Sequence, residues 1–367
     1  MLSDEKELSG YIGRIPVRNI WLLMLYASDL YRTHGRRMAG VEESVDRVAD
    51  LVAEILIPAV RHRMRYRLGS TYKRKTANLS RIRGKIDHIR TARQQLLTRG
   101  LVACAFFDLD VDRPRNRFVR SALEKLSPLV TKESLRHDCR NLVNALRMLG
   151  VVGPCPTKAE LSADRLARHD VADREMLDAA KLVMDLVLPT EQAGDRLLPM
   201  PYREETWVRL LFERAVGGFY RVALSPGEWQ VSTGTKLNWA ISSSSAGARA
   251  LIPQMKTDII LESVLSTRRI IIDTKFNEIA VQGHYRERTF RSEYLYQIYA
   301  YLMSQTGRGD PLADSAAGLL LHPSIGETID EAIKVQGHVI RFATVDLAAD
   351  AVSIRQRLLE LIDEWPL

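Results

Sequence analysis

Two apolar segments, 255–263 and 269–276, carry the residue types best suited to chemistry in this sequence. Asp258 lies in the first segment, and Asp273 and Lys275 lie two residues apart in the second. Side chains two residues apart in a strand point to the same face, so Asp273 and Lys275 are expected side by side. Carboxylates suit Mg²⁺ as hard oxygen ligands, and a neighbouring lysine can orient a water molecule and stabilise charge that develops on a phosphate. The pattern therefore predicts a Mg²⁺ site that acts on a phosphate group, with both aspartates as metal ligands and the lysine orienting a water molecule.

The connection between these segments indicates how the three charges meet. Residues 263–267 are few enough for a β-hairpin, which would pair the two strands antiparallel. Thr274 would then point to the face opposite Asp273 and Lys275. Buried charges are costly unless they are paired or bind a metal. A simple ion pair between Asp273 and Lys275 at a strand end is the alternative, because Asp-x-Lys is a common pattern; the upstream Asp258 and the hairpin favour the metal site.

Two predicted helices offer further candidate residues for this site. On the helix over 292–305, Gln297 and Tyr301 lie four residues apart and therefore on one side, opposite the aliphatic stripe. They are expected to support the active site, and the alternative is a packed amphipathic helix. On the helix over 204–222, Glu213 lies off the apolar stripe, so it is either a further metal-facing carboxylate or an ordinary exposed residue.

The elements that position these residues differ between the two halves of the chain. Glycine and proline cluster at 150–156, which predicts a boundary between domains 1–155 and 156–367. The first domain is predicted to be α+β, with helices around a small β-rich region. The second is predicted to be α/β with a mixed sheet, in the order helix, three strands, helix, strand. The predicted helices are 16–32, 46–60, two within 115–148, 173–187, 204–222, 292–305 and 348–364, and the predicted strands are 228–232, 251–262, 268–276, 316–322 and 336–346.

The positive charge of the chain is concentrated in one segment. Lys and Arg outnumber Asp and Glu by 53 to 45, a net charge of +8, and residues 61–93 hold twelve basic residues against the single acid Asp87. Such a cluster is the footprint expected for a polyanion, usually nucleic acid, although a solvated surface or an acidic protein partner is also compatible. Basic residues alternate over 61–67, which predicts a strand with one basic face. The predicted contacts to DNA or a partner are Arg61, Arg63, Arg65, Arg67, Lys73, Arg74, Lys75, Arg81, Arg83 and Lys85.

Composition excludes several classes of protein. A chain that is 46% hydrophobic and 27% charged is not mainly disordered. The cysteines Cys104, Cys139 and Cys155 form no CxxC pair, which excludes a disulfide scaffold and a thiolate zinc cluster. The longest apolar run is far shorter than a membrane span, and the first ten residues are polar and acidic. We therefore expect a cytoplasmic protein without a membrane partner. The sequence contains no GxxxxGK[ST] loop, so nucleotide-driven work would fall to another protein.

The Asp…Asp-x-Lys pattern and the order of elements resemble the PD-(D/E)xK nuclease superfamily, in which a Gln-xxx-Tyr helix is frequent. The sequence departs from the superfamily's name-giving pattern at Thr257, where that pattern has proline. Over nearly its full length the chain also resembles the McrC family, the nuclease subunits of McrBC-type restriction systems. The segments that carry this resemblance are IPVRNIWLLMLYA (15–27), IRGKID (82–87), NRFVRSAL (116–123), the TDI…DTKF motif and LYQIYAYL (295–302).

The resemblance implies a protein of two parts. The N-terminal half would dock onto McrB, a hexameric AAA+ GTPase that recognises the modified base, and would stimulate its GTP hydrolysis. The C-terminal half would be an endonuclease that cuts double-stranded DNA containing modified cytosine, such as 5-methylcytosine, in defence against phages. A non-cutting adaptor that activates an AAA+ motor and has a vestigial nuclease fold is the alternative, and a nuclease that needs no motor is a third interpretation.

Overall fold

The structure of the chain is a computed structural model that describes residues 11–12, 14–38, 40, 43, 45, 47–66, 68–164, 173–192, 202–263, 265, 267–282, 288–363 and 365. Short 3₁₀ helices cover Gly35–Met38 and Leu96–Arg99. The α-helices of the described residues are α1 (Val17–Ala27), α2 (Asp29–His34), α3 (Val48–Tyr66), α4 (His88–Arg93), α5 (Pro114–Leu126), α6 (Glu133–Met148), α7 (Lys158–Ala163), α8 (Asp173–Gln192), α9 (Tyr202–Ala223), α10 (Ala246–Leu251), α11 (Ser292–Met303), α12 (Pro311–Asp314) and α13 (Ala351–Asp363).

The strands are mostly short, and the longest of them have nine residues. They are β1 (Tyr11–Ile12), β2 (Ile15–Pro16), β3 (Thr71–Leu79), β4 (Lys85–Ile86), β5 (Val102–Asp110), β6 (Trp229–Thr233), β7 (Lys236–Leu237), β8 (Met255–Lys256), β9 (Ile259–Ser263), β10 (Arg268–Thr274), β11 (Ala280–Gln282), β12 (Arg288–Phe290), β13 (Ala317–Ser324), β14 (Asp330–Val335) and β15 (His338–Asp346).

The chain divides into two compact units. The six-strand unit comprises Met1–Val48 and Asp185–Leu367, and the ribbon unit comprises Ala49–Met184. This division differs from the predicted boundary at 155, because the N-terminal helices belong with the C-terminal part of the chain. The reason is the close packing of α1 on α9: a Cβ atom at Gly218 would lie 2.0 Å from the carbonyl oxygen of Tyr26, so only glycine permits this approach.

The six-strand unit is built on a mixed sheet, as predicted from the sequence. Within the described residues its strand order is β14-β15-β13-β10-β9-β6. Strand β10 runs parallel to β13 and antiparallel to β9, and β13 runs parallel to β15. Strands β6 and β14 pair antiparallel at the two edges. Strand β10 therefore lies inside the sheet, and the carboxyl ends of the parallel strands β10, β13 and β15 lie side by side.

Apolar packing on both faces explains why β10 is an interior strand. Ile270, Ile271 and Ile272 are all buried, a continuous apolar run that is typical of a strand covered on both sides. Helix α11 covers one face, where a Cβ atom at Gly318 of β13 would lie 2.7 Å from the side chain of Ile298. Glycine at this position lets the helix approach the sheet closely, and the helix is thereby fixed above the end of β10.

The ribbon unit contains a small antiparallel sheet in the order β3-β5-β4, surrounded by helices. Its buried charges form a network around Arg115, which donates to Asp164 at 2.9 Å and to Asp173 at 3.0 Å. Removing one partner from such a buried pair leaves an uncompensated charge and typically costs about 3–5 kcal/mol. The β-rich region expected in the N-terminal half is thus present, with helices packed around it.

Several predicted elements are wrong in detail. The helix over 16–32 is broken at Ser28, whose side chain accepts a hydrogen bond from the Tyr31 backbone and begins α2. Pro58 lies inside α3 instead of ending it, and the strand predicted over 61–67 is the last part of this helix as far as Tyr66. Arg67 lies outside the described residues. The predicted strand 251–262 is two short strands that follow α10, and the edge strand β14 was not predicted.

No helix in the part of the chain that the structure describes is long and apolar enough to cross a membrane.

Candidate active site

Strand β10 delivers Asp273 and Lys275 to the edge of the sheet. Asp273 is the penultimate residue of the strand, and its side chain is only 1% exposed. Lys275 follows the strand, and its backbone amide donates to the carbonyl oxygen of Leu321 at 2.9 Å, which continues the pairing with β13. The Lys275 Nζ atom lies 2.8 Å from the Asp273 Oδ2 atom. The two side chains therefore meet, as their spacing in the sequence indicated.

Asp258 reaches the same end of β10 from the neighbouring strand. It precedes β9, whose first residue, Ile259, pairs with Ile272 in an antiparallel register. The Asp258 Oδ2 atom accepts hydrogen bonds from the backbone N of Thr274 at 2.8 Å and from its Oγ1 at 2.9 Å. The antiparallel pairing of these two strands is confirmed, and Thr274 is the partner that holds the Asp258 carboxylate.

Helix α11 connects the charged pair to a chain of hydrogen bonds. The Gln297 Oε1 atom accepts from Lys275 Nζ at 3.0 Å, and its Nε2 donates to Asp273 Oδ1 at 3.3 Å. The same Nε2 donates to the Tyr301 hydroxyl at 2.6 Å, and that hydroxyl donates to the carbonyl oxygen of Lys256 at 2.8 Å. Because Gln297 and Tyr301 are one helical turn apart, one side of α11 holds both the lysine and the aspartate in place.

Burial and charge set the protonation of this site. Burial raises the pKa of Asp273 to about 6, against the lowering effect of Lys275 and with a further rise caused by the charge of Asp258. The ammonium of Lys275 also lies 4.9 Å from the centre of the Tyr294 ring, a cation–π contact. A buried carboxylate with a raised pKa and a single lysine partner is the type of group that functional sites contain.

The structure places Glu213 close to these charges. Its side chain on α9 is half-buried. Burial raises the pKa of Glu213, and the charge of Asp258 raises it further, while Lys256, Arg209 and Lys275 act in the opposite direction. Its role in the chemistry stays a prediction.

The donor set consists of oxygen ligands. Among the described residues no group of three His, Cys, Asp or Glu side chains is close enough to hold a metal ion by itself. Mg²⁺ needs no such cage, because it retains several water molecules and takes one or two protein carboxylates together with substrate phosphate. The carboxylates of Asp258 and Asp273, in an environment that already disfavours the charged form of Asp273, fit that requirement.

Sequence reasoning did not identify the residues that surround the candidate site residues and hold them in place. Thr274 was expected to point away from the site, and no pattern linked it to Asp258. Asn277 donates through Nδ2 to the Tyr294 hydroxyl, and its carbonyl oxygen lies 2.9 Å from the Nδ1 atom of His322. The period of two after Asp273 and Lys275 also passes through Asn277, which is the signal that could have found it.

The basic cluster consists of a helix end and an antiparallel ribbon. In a strand Arg61 and Arg63 would share a face, but in α3 they are separated by about 200° around the axis. Accordingly Arg61 forms an ion pair with Asp138 of α6, and Arg63 forms one with Asp173 of α8. These two arginines are therefore occupied by contacts within the ribbon unit.

Several ribbon lysines and arginines also have acidic partners. Lys75 and Arg83 both contact Asp108, at 3.1 Å and 2.9 Å, and Lys73 lies 3.4 Å from Asp110. These acids lie outside residues 61–93, so the charge of that segment overstates the uncompensated charge. Among the ten predicted contact residues, those that are exposed and form no ion pair with any described residue are Arg65, Arg74, Arg81 and Lys85.

One face of the ribbon exposes both basic and aromatic side chains to solvent. Tyr72 and Arg74 of β3 lie opposite Leu109 and Phe107 of β5 in the antiparallel register. Tyr72, Phe107 and Leu109 are exposed large side chains. Exposed apolar groups that are contiguous in this way mark surfaces that bind a partner.

The similarity of this chain to known proteins extends over most of its length. Residues 3–315 match the protein family described as the McrBC 5-methylcytosine restriction system component. The type IV methyl-directed restriction enzyme EcoKMcrBC of Escherichia coli (strain K12) is 25% identical over 362 residues, which are 96% of this chain and 98% of that protein.

Two solved structures from Thermococcus gammatolerans are also similar. The refined half-complex from a tetradecameric assembly of McrB AAA+ hexamers with bound McrC has a TM-score of 0.43 and 14% identity, and the match covers 95% of this chain and 76% of that chain. The cryo-EM structure of the McrBC complex has a TM-score of 0.33 and 15% identity, with 49% of this chain and 60% of that chain covered.

Proposed function

The chain belongs to the McrBC family of restriction-system components, and we propose that it is the nuclease subunit of such a system. In this proposal it is a Mg²⁺-dependent endodeoxyribonuclease that cuts DNA containing modified cytosine when it is coupled to an AAA+ GTPase, and it stimulates that GTPase. The observation that carries the proposal is the contact of Lys275 with both Asp273 and Gln297 at the end of an interior strand.

The arrangement of elements supports a nuclease core of the PD-(D/E)xK type. Helix α9, strands β6, β9 and β10, helix α11 and strand β13 follow one another in the chain, with short elements between them. Strands β6, β9 and β10 form an antiparallel meander, and β13 pairs parallel to β10. The candidate residues Asp258, Asp273 and Lys275 all lie where β9 and β10 meet.

Asp258 and Asp273 would hold the Mg²⁺, which when bound would supply positive charge to the phosphate and to the leaving oxygen. Thr274 supports this role because its two hydrogen bonds fix the Asp258 carboxylate at Oδ2. Glu213 lies close enough to raise the pKa of Asp273, and its carboxylate is the candidate for a further ligand.

Lys275 would act on the attacking water and the phosphate, and Gln297 and Tyr301 would support it. Lys275 carries a positive charge at the edge of the sheet, which can stabilise the negative charge that develops in the transition state. Gln297 accepts from Lys275 and donates to Asp273, so it holds the two groups at a fixed separation. Tyr301 positions Gln297 from the next helical turn.

The ribbon unit is the proposed docking region for the AAA+ partner. Its face with Tyr72, Arg74, Phe107 and Leu109 offers stacking and apolar contact, and the unpaired basic residues add charge for a protein or a DNA backbone. We place the protein in the cytoplasm, where such a partner and the DNA occur together.

The test is a paired assay of the two activities. Mixtures contain this chain, the AAA+ protein encoded beside it, Mg²⁺, nucleotide and methylated plasmid, and both DNA cleavage and nucleotide hydrolysis are followed. Asp273→Asn should abolish cleavage and leave stimulated hydrolysis unchanged, because the isosteric change lies in the six-strand unit. Glu331→Gln, an exposed site on β14, is the matched control and should cleave like the native chain.

The alternative function makes the opposite prediction. A non-cutting adaptor would stimulate nucleotide hydrolysis without cleaving methylated or unmethylated DNA. Cleavage that persists in Asp273→Asn would show that the site is wrongly assigned, even if the chain is a nuclease.

A further inference from the structure

A cavity of about 510 Å³ lies beside the candidate active site in the six-strand unit. Its lining begins with Phe276 and Asn277, directly after Lys275, and continues to Ser324 at the end of β13 and Thr344 near the end of β15. Strands β10, β13 and β15 run parallel, so the cavity lies at the carboxyl ends of three parallel strands. Ligands of open α/β sheets bind at this edge.

The size of the cavity and its mixture of apolar and polar walls fit a flat ring with polar edges. Small-molecule sites typically enclose about 300–1,000 Å³ and are mostly apolar. Here the apolar walls come from Ile15, Phe276, Ile279 and Ile325. The Phe276 ring is half-buried and rests edge-on against Phe212, with ring centres 6.1 Å apart. Phe276 is therefore a supported aromatic surface on which a ring can stack.

Two polar atoms of the lining lack partners within the described structure. The side-chain oxygens Asn277 Oδ1 and Ser324 Oγ are buried and form no hydrogen bond with any described residue. Asn277 Nδ2 is engaged by the Tyr294 hydroxyl, so the orientation of the amide is fixed. Buried polar atoms nearly always have a partner, so these two point to a ligand that both donates and accepts hydrogen bonds.

The charges of the lining argue against a site for phosphate alone. Arg14 and Arg288 are accompanied by Glu278 and Glu327, so the lining has no excess of positive charge. Arg288 forms a two-pronged ion pair with Glu327. An anion would therefore gain little electrostatic stabilisation here, which favours a neutral ring whose polar edges form hydrogen bonds.

We propose that this cavity binds one unstacked nucleobase of the DNA strand whose phosphodiester reacts at Asp273 and Lys275. The inference rests on the proposed function and adds a binding subsite to it. Removing a base from the stack costs free energy, and stacking on Phe276 with hydrogen bonds to Asn277 and Ser324 would offset that cost. Stacking tolerates every base, so the subsite would hold the strand in register without reading its sequence.

The first arm of the test measures binding to the full chain without metal or partner. Deoxycytidine, deoxycytidine monophosphate and inorganic phosphate are titrated by calorimetry. The nucleoside and the nucleotide should bind with similar affinity, at a Kd below about 1 mM, and phosphate should not bind at that concentration. Ser324→Leu, which places a larger side chain in the cavity, should weaken nucleoside binding at least about tenfold.

A second variant covers the case in which Ser324→Leu does not fold, as judged by its melting temperature. Ile325→Ala removes part of the wall at a position that is 41% exposed, and Ile333→Ala on β14 is a matched control at 38% exposed. Only Ile325→Ala should weaken nucleoside binding, by about threefold or more. Equal nucleoside binding by the native chain, Ile325→Ala and Ile333→Ala would overturn the proposal. Phosphate that binds as tightly as the nucleotide would also overturn it.

The second arm uses the coupled cleavage assay. In Ser324→Leu, KM for DNA should rise about tenfold more than kcat falls, because the subsite acts in binding. An unchanged KM would contradict the subsite. If the native chain cuts no DNA, the proposed nuclease function fails, and the nucleoside titration still decides whether the cavity binds a base.

Discussion

Two of the Lys–Asp pairs among the described residues have opposite properties. Lys275 and Asp273 in the six-strand unit are 18% and 1% exposed, and burial raises the pKa of Asp273 to about 6. Lys75 and Asp108 in the ribbon unit are 45% and 31% exposed, and hydrogen bonds from Lys75 and Arg83 lower the pKa of Asp108. The same two residue types thus include an aspartate with a raised pKa where the pair is buried, and an aspartate with a lowered pKa where the pair is exposed.

This difference teaches where chemistry and where docking can occur. At the buried pair each charge is held by a specific partner, and Gln297 links both. In the ribbon, solvent screens the charges, and a surface pair contributes only about 0–1 kcal/mol. We therefore expect changes in the first region to act on catalytic rate and changes in the second to act on partner affinity.

The largest expected effect on the cleavage rate is that of Lys275→Ala, and the same substitution at Lys75 is its comparison. Lys275→Ala should reduce the cleavage rate about 1,000-fold, because in the proposed mechanism it removes the positive charge that would lie next to the reacting phosphate. Lys75→Ala, measured at saturating partner, should change the maximal rate less than about threefold. Single-turnover cleavage of methylated DNA measures both. Similar losses in the two variants would contradict the distinction between the regions.

Acid should reveal a second difference between the units. Burial lowers the pKa of His322 from 6.5 to about 4, so between these values the unfolded chain binds a proton that the folded chain refuses. The contribution of His322 to the free energy of unfolding is fully present above about pH 6.5. It falls by about 1.4 kcal/mol per pH unit toward pH 4, or about 3 kcal/mol in total. Asp273 opposes this, because its raised pKa makes the folded chain bind a proton first as the pH falls toward its ordinary pKa.

The measurement therefore uses Asp273→Asn as background. Urea unfolding at pH 7 and pH 4.5 should show a falling free energy of unfolding in this variant, and the fall should largely vanish in Asp273→Asn with His322→Gln. The lowered pKa of Asp108 keeps that carboxylate ionised throughout this range, so its contribution is lost only below its ordinary pKa. An equal fall in both variants would show that His322 is not the titrating group.

Tyr301→Phe should have a smaller effect, of about tenfold on the cleavage rate. The hydroxyl accepts from Gln297 and donates to the Lys256 carbonyl, and its loss removes both hydrogen bonds at a cost of about 1–3 kcal/mol. Tyr299→Phe removes an exposed hydroxyl contact with Gln336 from the same helix and is the matched control. The rate and the KM for DNA are compared, and a positioning role requires kcat to fall more than KM rises.

The smallest expected effect concerns docking. Arg74→Ala should weaken binding to the AAA+ partner about fivefold, because Arg74 is exposed, lies among aromatic groups and forms no ion pair with any described residue. Lys75→Ala should change the affinity less than about twofold, because Asp108 already holds Lys75. Equal effects would mean that the ribbon binds through its overall charge.

Local patterns predicted much of the six-strand unit. The period of two in β10 and the period of one turn in α11 depend only on neighbouring residues, and they placed Asp273 with Lys275 and Gln297 with Tyr301. The short connection between β9 and β10 predicted their antiparallel pairing. The mixed sheet followed from the order of helices and strands, although the edge strand β14 did not.

Long-range contacts explain what the sequence could not show. The acids that neutralise the basic cluster, among them Asp108 and Asp138, lie outside the segment whose charge was counted. Alternating Arg with His, Met and Tyr over 61–67 satisfies a strand pattern, yet its arginines find Asp138 and Asp173 on opposite sides of a helix. The membership of Met1–Val48 in the six-strand unit depends on the packing of α1 on α9, which no local pattern records.

In the proposed function, Asp258 and Asp273 bind the metal used for cleavage. Crystals of the chain soaked in manganese chloride test it most directly, since Mn²⁺ replaces Mg²⁺ and is located by anomalous scattering. We predict one strong peak within about 2.3 Å of carboxylate oxygens of both aspartates, absent in crystals of Asp273→Asn. A native crystal at saturating Mn²⁺ with no peak between these carboxylates, or with peaks only at Asp108 and Asp110 of the ribbon, would contradict the account.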